Sequence, residues 1–141
     1  MDEAYAKLTQ DQIDEIEEKF ARADAAQKIF EKWSQEEVDR TIRAIAWKVA
    51  NTQTFRELVK MSIEESGMGD PVTRENKKYK IRGVLRDALR QKSVGIIEEI
   101  PEKGIVKYGK PVGVIACVIP ATNPDLTPAG NAIYALKAKN A

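Results

Sequence analysis

The sequence predicts an α/β fold in which a helical amino-terminal region and a β-hairpin lead into the first strand and helix of a doubly wound parallel sheet. Apolar residues recur at helical spacing through the first two thirds of the chain, and this period changes at about residue 94. A near-continuous apolar run of strand length follows. We therefore divide the chain into a helical region (1–93), a hairpin (94–109) and the start of the sheet domain (110–141).

Capping boxes mark the start of the first two helices. Residues 9–12 and 34–37 each place a hydroxyl side chain three residues before a glutamine or glutamate, the pattern that satisfies free N–H groups at a helix start. Apolar residues then repeat every three or four positions, which predicts two amphipathic helices that pack on a core. The inner faces should comprise Ile13, Ile16, Phe20 and Ile29 or Phe30 in the first helix, and Val38, Ile42, Ile45 and Val49 in the second.

Two further helices are predicted before the hairpin. The third begins at about Thr54 and should stop at Gly67, because glycine readily takes the left-handed conformation of a helix end. Asp70 and Pro71 then match an N-cap and a first helical position, so a fourth helix should run to about Lys92. We interpret its many lysines and arginines as a solvated face, with a phosphate-binding or nucleic-acid patch as the alternative.

The pattern from residue 94 onward is typical of strands. Within residues 94–109, two short apolar segments flank the glycine-bearing loop Glu102-Lys103-Gly104, which indicates a β-hairpin. The apolar residues are Ile96, Ile97 and Ile100 before the loop and Ile105, Val106 and Tyr108 after it. Val112–Ile119 is apolar at nearly every position, as expected for a strand buried on both faces of a parallel sheet. A turn at Pro120–Asn123 and a helix from Pro124 to about Lys139 complete only half of a βαβ unit. We therefore expect the chain to be cut inside a larger domain, with the next strand beginning at Ala141.

Composition restricts the chemistry that this chain can carry. A formal net charge of +1 provides no long-range field to gather nucleic acid or a membrane surface, so we expect neither partner. Because histidine is absent, a His-dependent triad, a His-ligated zinc site and the commonest general base are all excluded, and we predict no metal site. The single cysteine, Cys117, fits a reducing cytoplasm, and its apolar context predicts a buried packing residue.

The turn after the predicted strand is the best candidate for a functional site. Open α/β sheets bind ligands at the carboxyl ends of their strands, and the next helix begins there with free N–H groups. Asn123 lies in this turn and offers a neutral amide donor, the kind of group that stabilises a developing oxyanion. The alternative is a turn residue without chemistry, because Asn-Pro favours turns.

The turn Pro120-Ala121-Thr122-Asn123-Pro124 resembles the first Rossmann turn of the aldehyde dehydrogenase superfamily. Its Thr-Asn-Pro form is similar to that of the CoA-acylating branch, which includes the acetaldehyde, succinate-semialdehyde and sulfoacetaldehyde dehydrogenases. The resemblance extends from about residue 20 to the end of the chain. It also rests on Thr127-Pro128, Asn131-Ala132, the 135–140 ending, Ala26-Gln27, the 34–39 segment and Glu65-Ser66-Gly67-Met68-Gly69.

The resemblance implies an enzyme that converts an aldehyde, CoA and NAD(P)⁺ to an acyl-CoA and NAD(P)H through a cysteine thioester. It assigns Asn123 as the oxyanion donor, and it places Ile119, Pro120, Ala121 and Thr122 along the path of the nicotinamide and its ribose in a Rossmann-like NAD(P)-binding domain. The nucleophilic cysteine of the family lies beyond residue 141, so the 141-residue chain alone should be inactive.

Further expectations concern the complete enzyme. We expect it to be a cytoplasmic homo-oligomer, with a bacterial enzyme compartment as a second location. NAD or NADP would be its cofactor, and its partners would be CoA and a small aldehyde. The alternative function is a free-standing, non-catalytic binding or assembly module that has the same fold.

Overall fold

The computed structural model describes residues 7–141, in which the predicted helical region, hairpin and final helix follow one another, but no strand forms at Val112–Ile119. A mainly helical region precedes an antiparallel pair of strands, and one more helix follows. None of the helices in the described range has the length and apolar character needed to cross a membrane. The helices are α1 (Gln10–Phe30), α2 (Gln35–Ala50), α3 (Thr52–Ser66), α4 (Pro71–Glu75), α5 (Lys78–Leu89) and α6 (Thr127–Lys137), and the strands are β1 (Gly95–Ile100) and β2 (Ile105–Gly109).

The predicted caps at Thr9, Ser34, Gly67 and Asp70 are confirmed. Thr9 and Ser34 both form complete capping boxes, in which the hydroxyl accepts from the third backbone N–H and the third side chain accepts from the cap N–H. Gly67 ends α3 with a φ of 65°, a left-handed conformation that glycine adopts without the steric cost of a Cβ. Asp70 caps α4, and Pro71 occupies its first turn.

We expect Ser34→Ala to lower the free energy of unfolding by about 1 kcal/mol, because the start of α2 would lose its cap. The matched control is Thr9→Ala, which should change this free energy much less, since α1 is exposed around its start. Urea unfolding followed by circular dichroism measures both. If both variants lose the same free energy of unfolding, the expected effect of packing α2, but not the start of α1, against the core is contradicted.

The hydrophobic core lies where α2, α5 and α6 pack together and α3 contacts α2. The predicted apolar face of α2 is confirmed, because Val38 and Ile42 are completely buried. Large apolar side chains from the other helices close the core. Its buried members are Ile42, Ala46, Ala50, Phe55, Val59, Ile81, Ala88, Ala129 and Ile133.

The prediction that α1 packs on the core along its whole length is wrong. Only Gln27 and Phe30, in its last turn, are buried. Ile16 and Phe20 are 57% and 58% exposed. Helical periodicity defines an apolar face but not its partner, and nearly all residues in the first half of this helix are exposed.

The single fourth helix that the sequence predicts is divided into α4 and α5. Between them, the N–H of Lys77 donates to the carbonyl of Arg74 at 2.9 Å, and the N–H of Lys80 donates to the carbonyl of Lys77 at 2.8 Å. These bonds span three residues, so the chain tightens into 3₁₀-type turns at this point. Arg74 and Lys77, at this break, both contact the turn before α6.

The hairpin is confirmed with its glycine-bearing connection. Gly95 pairs with Gly109 and Ile100 with Ile105, and an irregularity after Ile96 shifts the register. A short 3₁₀ helix, Pro101–Lys103, connects the strands. Most residues on both strands are exposed, because within the described chain the two strands contact mainly each other.

Lysines near the end of a helix commonly lie in solvent and complement the helix dipole, and their sequence positions predict this for Lys137 and Lys139. That prediction is wrong, because both residues are buried. Lys137 Nζ pairs with Asp39 of α2 at 2.5 Å. The ammonium of Lys139 donates to the carbonyl of Glu31, and its own carbonyl accepts from Gln27 at 3.2 Å. These polar contacts attach α6 to α1 and α2.

Candidate functional site

The candidate site is the turn that connects residue 119 to α6. The N–H of Asn123 donates to the carbonyl of Pro120 at 3.1 Å. The Asn123 carbonyl in turn accepts from Leu126 at 3.4 Å and from Thr127 at 3.1 Å. The backbone of Asn123 is therefore hydrogen-bonded on both sides, and α6 begins at Thr127, three residues later than the predicted start at Pro124.

The Asn123 side chain is half-buried and has one hydrogen-bond partner. Lys77 Nζ donates to Asn123 Oδ1 at 2.6 Å. A lysine ammonium has three donors and no acceptor, so the amide atom that faces it must be the oxygen. The Nδ2 group consequently points away from Lys77, and it donates no hydrogen bond to residues 7–141. The amide thus retains a donor that can bind a ligand oxygen.

A buried ion pair lies directly behind this turn. Arg74 Nη1 lies 3.2 Å from Asp125 Oδ2, and the two side chains are 5% and 0% exposed. Arg74 also donates to Ser62 Oγ at 2.6 Å and to the carbonyl of Thr122 at 3.3 Å. Neither Asp125 oxygen accepts a well-aligned hydrogen bond from the described chain, so charge attraction is its main compensation. Arg74 thereby ties α3 and α4 to the turn.

Asp70 caps the start of α4, the helix that carries Arg74. The backbone N–H of Thr73 donates to Asp70 Oδ1 at 2.8 Å, and this bond holds the pKa of Asp70 below its ordinary value. Because the pKa of the Asp70 carboxyl is lower in the folded state, its ionised form stabilises the fold at any pH above its pKa in the unfolded chain. This stabilisation is lost as the pH falls through its pKa in the folded state. The helix that carries Arg74 should therefore be least stable in acid.

The residues predicted to line the cofactor path are adjacent and accessible. Ile119, Pro120, Ala121 and Thr122 are all exposed, and none carries a charge. The Thr122 carbonyl is already bound by Arg74, which fixes the backbone at that point. These residues form an uncharged surface next to Asn123, but their role toward a cofactor stays a prediction.

The segment before the turn differs from the predicted buried strand. Val112–Ile119 forms no assigned strand, and Cys117, which we expected to be buried, is exposed. The Ala141 N–H donates to Gly113 at 3.1 Å, and the N–H of Ile115 donates to Ala141 at 2.7 Å. One residue bonded to positions 113 and 115 of its neighbour is the hydrogen-bond pattern of a parallel ladder.

Val112–Ile119 is not a buried strand because few segments lie beside it. Within residues 7–141, only Ala141 lies beside the segment as a strand would, and α6 approaches it over an apolar groove that Cys117, Ala132 and Ala135 help to line. Asn140 Oδ1 accepts from the N–H groups of Val112 at 2.7 Å and Gly113 at 3.1 Å, which joins the segment to the end of α6. Hydrophobic pattern alone could not show that the other flank is open.

The sequence predicts Asn123 as a site residue, and this role stays a prediction, but it gives no indication of the side chains that contact this turn. Arg74 and Lys77 were grouped with a solvated basic face, yet the structure brings both to the turn across about fifty residues of sequence. The Asp70-Pro71 start of α4 was a usable signal, because it fixes where the helix begins and therefore which residues follow in its first turns. Among residues 7–141, no cluster of acidic residues and cysteine is arranged to bind a metal ion.

The chain is similar to known aldehyde dehydrogenases. It is 46% identical over 121 residues to a sulfoacetaldehyde dehydrogenase from Acholeplasma, a match that covers 85% of this chain and 25% of that protein. It is 38% identical over 127 residues to the succinate-semialdehyde dehydrogenase (acetylating) of Clostridium kluyveri, which covers 89% of this chain and 27% of that protein. No family model matches the sequence.

Solved structures agree. The structure of an acetylating aldehyde dehydrogenase from Geobacillus thermoglucosidasius matches with a TM-score of 0.87 at 34% identity, over 92% of this chain and 28% of that one. A probable aldehyde dehydrogenase from Listeria monocytogenes matches with a TM-score of 0.84 at 29% identity, over the same shares.

Sequence and fold together define the class. The chain is homologous to the amino-terminal region of aldehyde dehydrogenases, as the sequence analysis predicted. Its relatives are named as members of the acylating branch, including the sulfoacetaldehyde and succinate-semialdehyde enzymes. The chain spans about a quarter of the length of the curated relatives that it matches.

Proposed function

We propose that this chain is the amino-terminal part of an oxidoreductase that converts an aldehyde, CoA and NAD(P)⁺ to an acyl-CoA and NAD(P)H through a cysteine thioester. The relatives named as acylating enzymes support the reaction class. In this proposal, the chain supplies the oxyanion donor and part of the surface that the cofactor occupies. The complete protein would act as a cytoplasmic homo-oligomer on a small aldehyde.

The observation that carries the proposal is the orientation of the Asn123 amide. Its oxygen is bound by Lys77 at 2.6 Å, so the Nδ2 donor is fixed in direction before any ligand arrives. A preorganised neutral donor is the group that stabilises negative charge developing on a carbonyl oxygen. The backbone hydrogen bonds of the turn and the Arg74 contact to Thr122 hold this donor in place.

The surface next to Asn123 fits a nicotinamide cofactor. Ile119, Pro120, Ala121 and Thr122 are exposed and uncharged, and they lie directly before Asn123 and the turn into α6. In the proposal, these four residues lie along the nicotinamide and its ribose. A bound NAD(P)⁺ would supply the acceptor for the aldehyde hydride, and the chain's own contribution is to orient the reacting oxygen through Asn123.

The test compares the complete protein with the 141-residue chain. With acetaldehyde, sulfoacetaldehyde or succinate semialdehyde, we expect the complete protein to produce NAD(P)H only when CoA is present and to form the matching acyl-CoA. The 141-residue chain should produce none, because the cysteine nucleophile of the proposal is not among its residues. Absorbance at 340 nm and mass spectrometry of the thioester product measure the two arms.

Two outcomes contradict the proposal. If the 141-residue chain produces NAD(P)H and Cys117→Ala abolishes the signal, then the exposed Cys117 is the nucleophile. The proposal that the nucleophilic cysteine is not among these residues would then be wrong. If the complete protein binds neither CoA nor NAD(P)⁺ and oxidises none of the three aldehydes, the non-catalytic module is the better account.

A further inference from the structure

A lysine from a different part of the chain contacts the proposed oxyanion donor. Lys77 lies in the break between α4 and α5, and its Nζ reaches Asn123 Oδ1 at 2.6 Å across 46 residues of sequence. Its side chain is 20% exposed, so the contact is partly shielded from water. A side-chain amide with both of its polar groups in water would rotate between orientations, and this contact selects one of them.

The position of Lys77 is itself fixed. Its ammonium lies 3.9 Å from Asp125 Oδ1, and the same carboxylate pairs with Arg74 at 3.2 Å. The 3₁₀-type turns at Arg74–Lys80 place two cations on the same side, facing the turn. The completely buried Asp125 therefore attracts both cations, and Lys77 donates one hydrogen bond to Asn123.

From these contacts we infer that Lys77 is a positioning residue for Asn123, an assignment that rests on the proposed oxyanion role of that amide. Lys77 binds the amide oxygen, so the Nδ2 donor faces the reacting oxygen in one orientation. Lys77 touches neither substrate nor cofactor in this assignment. A positioned donor costs little reorganisation during the reaction, whereas a rotating one must be ordered at each turnover.

The experiment is a double-mutant cycle in the complete enzyme. Lys77→Met removes the ammonium and keeps the length of the side chain, and we expect kcat to fall about tenfold to a hundredfold, with little change in KM for the cofactor. The matched control is Lys80→Met, because Lys80 is exposed and makes no side-chain hydrogen bond within the described residues. Its kcat should equal that of the wild type.

The double variant distinguishes positioning from a structural role. If Lys77 acts only through Asn123, then Lys77→Met combined with Asn123→Ala should be no slower than Asn123→Ala alone. If the two losses multiply, Lys77 acts independently of Asn123 and the inference is overturned. A normal kcat for Lys77→Met beside a slow Asn123→Ala overturns it equally.

A spectroscopic measurement separates this inference from the proposed function. In complete enzyme labelled with ¹⁵N-asparagine, the side-chain NH₂ signals of Asn123 are identified by their loss in Asn123→Ala. We expect Lys77→Met to shift these signals and to increase their fast motion, whereas Lys80→Met leaves them unchanged. If Asn123→Ala has normal turnover, the proposed oxyanion role is wrong. The spectra then test by themselves whether Lys77 orients the Asn123 amide, and unchanged signals in Lys77→Met overturn that inference.

Discussion

Asn123→Ala should lower kcat of the complete enzyme by about a hundredfold to a thousandfold, the usual loss when one oxyanion donor is removed. The KM for the cofactor should change little, because the lost interaction belongs mainly to the transition state. The physical reason is the amide geometry, in which Lys77 holds Oδ1 and leaves Nδ2 as a donor with no partner in residues 7–141. Steady-state kinetics with saturating CoA provide the measurement.

Asn123→Asp separates donation from turn structure. A carboxylate at this position could still accept from Lys77, so the turn should keep its contact to α4, but an ionised carboxylate donates no hydrogen bond. We expect this variant to be as slow as Asn123→Ala. Asn76→Ala, at an exposed asparagine beyond α4, is the matched control and should be normal. Near-normal turnover of either Asn123 variant would show that this residue only shapes the turn.

Local chemistry explains why the helix ends could be predicted from sequence. Capping at Thr9, Ser34 and Asp70 depends on groups within three residues of one another, and the left-handed end at Gly67 depends on one residue type. The hairpin was predictable for the same reason. The Thr-Asn-Pro turn was found because its motif is contiguous.

Contacts between distant segments explain what the sequence could not show. The basic residues of the fourth helix look alike in sequence, yet Arg74 is buried against Asp125 whereas Lys80 is exposed. Lys137, whose position near a helix end predicts a solvent-exposed charge, is instead paired with Asp39. Burial of a charge depends on a partner from another element, and neither periodicity nor composition specifies that partner.

The strand prediction at Val112–Ile119 failed for a related reason. Its apolar pattern correctly indicates a segment suited to burial, and the ladder bonds to Ala141 show how a parallel neighbour approaches. Whether such a segment is buried depends on what covers both of its faces. In residues 7–141, α6 covers one side, and Val112 and Val118 are 85% and 95% exposed.

Asp125→Asn should lower the free energy of unfolding of the 141-residue chain by about 3–5 kcal/mol, the usual loss when one partner of a buried ion pair is removed. Arg74 would keep a guanidinium that is only 5% exposed with no opposite charge at 3.2 Å. The turn would also lose the charge that attracts Lys77 toward Asn123. Urea unfolding followed by circular dichroism gives the free energy.

Two controls identify the buried charge as the cause of that loss. Glu98→Gln removes one partner of the Lys107 pair, whose side chains are about half exposed, and it should cost less than about 1 kcal/mol. Combining Asp125→Asn with Arg74→Met should recover part of the stability, because the double variant no longer buries an unpaired cation. Recovery would be incomplete, since the guanidinium also donates to Ser62 and Thr122. If Asp125→Asn costs no more than Glu98→Gln, the ion pair does not anchor the turn, and the backbone hydrogen bonds of Asn123 and its contact with Lys77 must hold the amide in place.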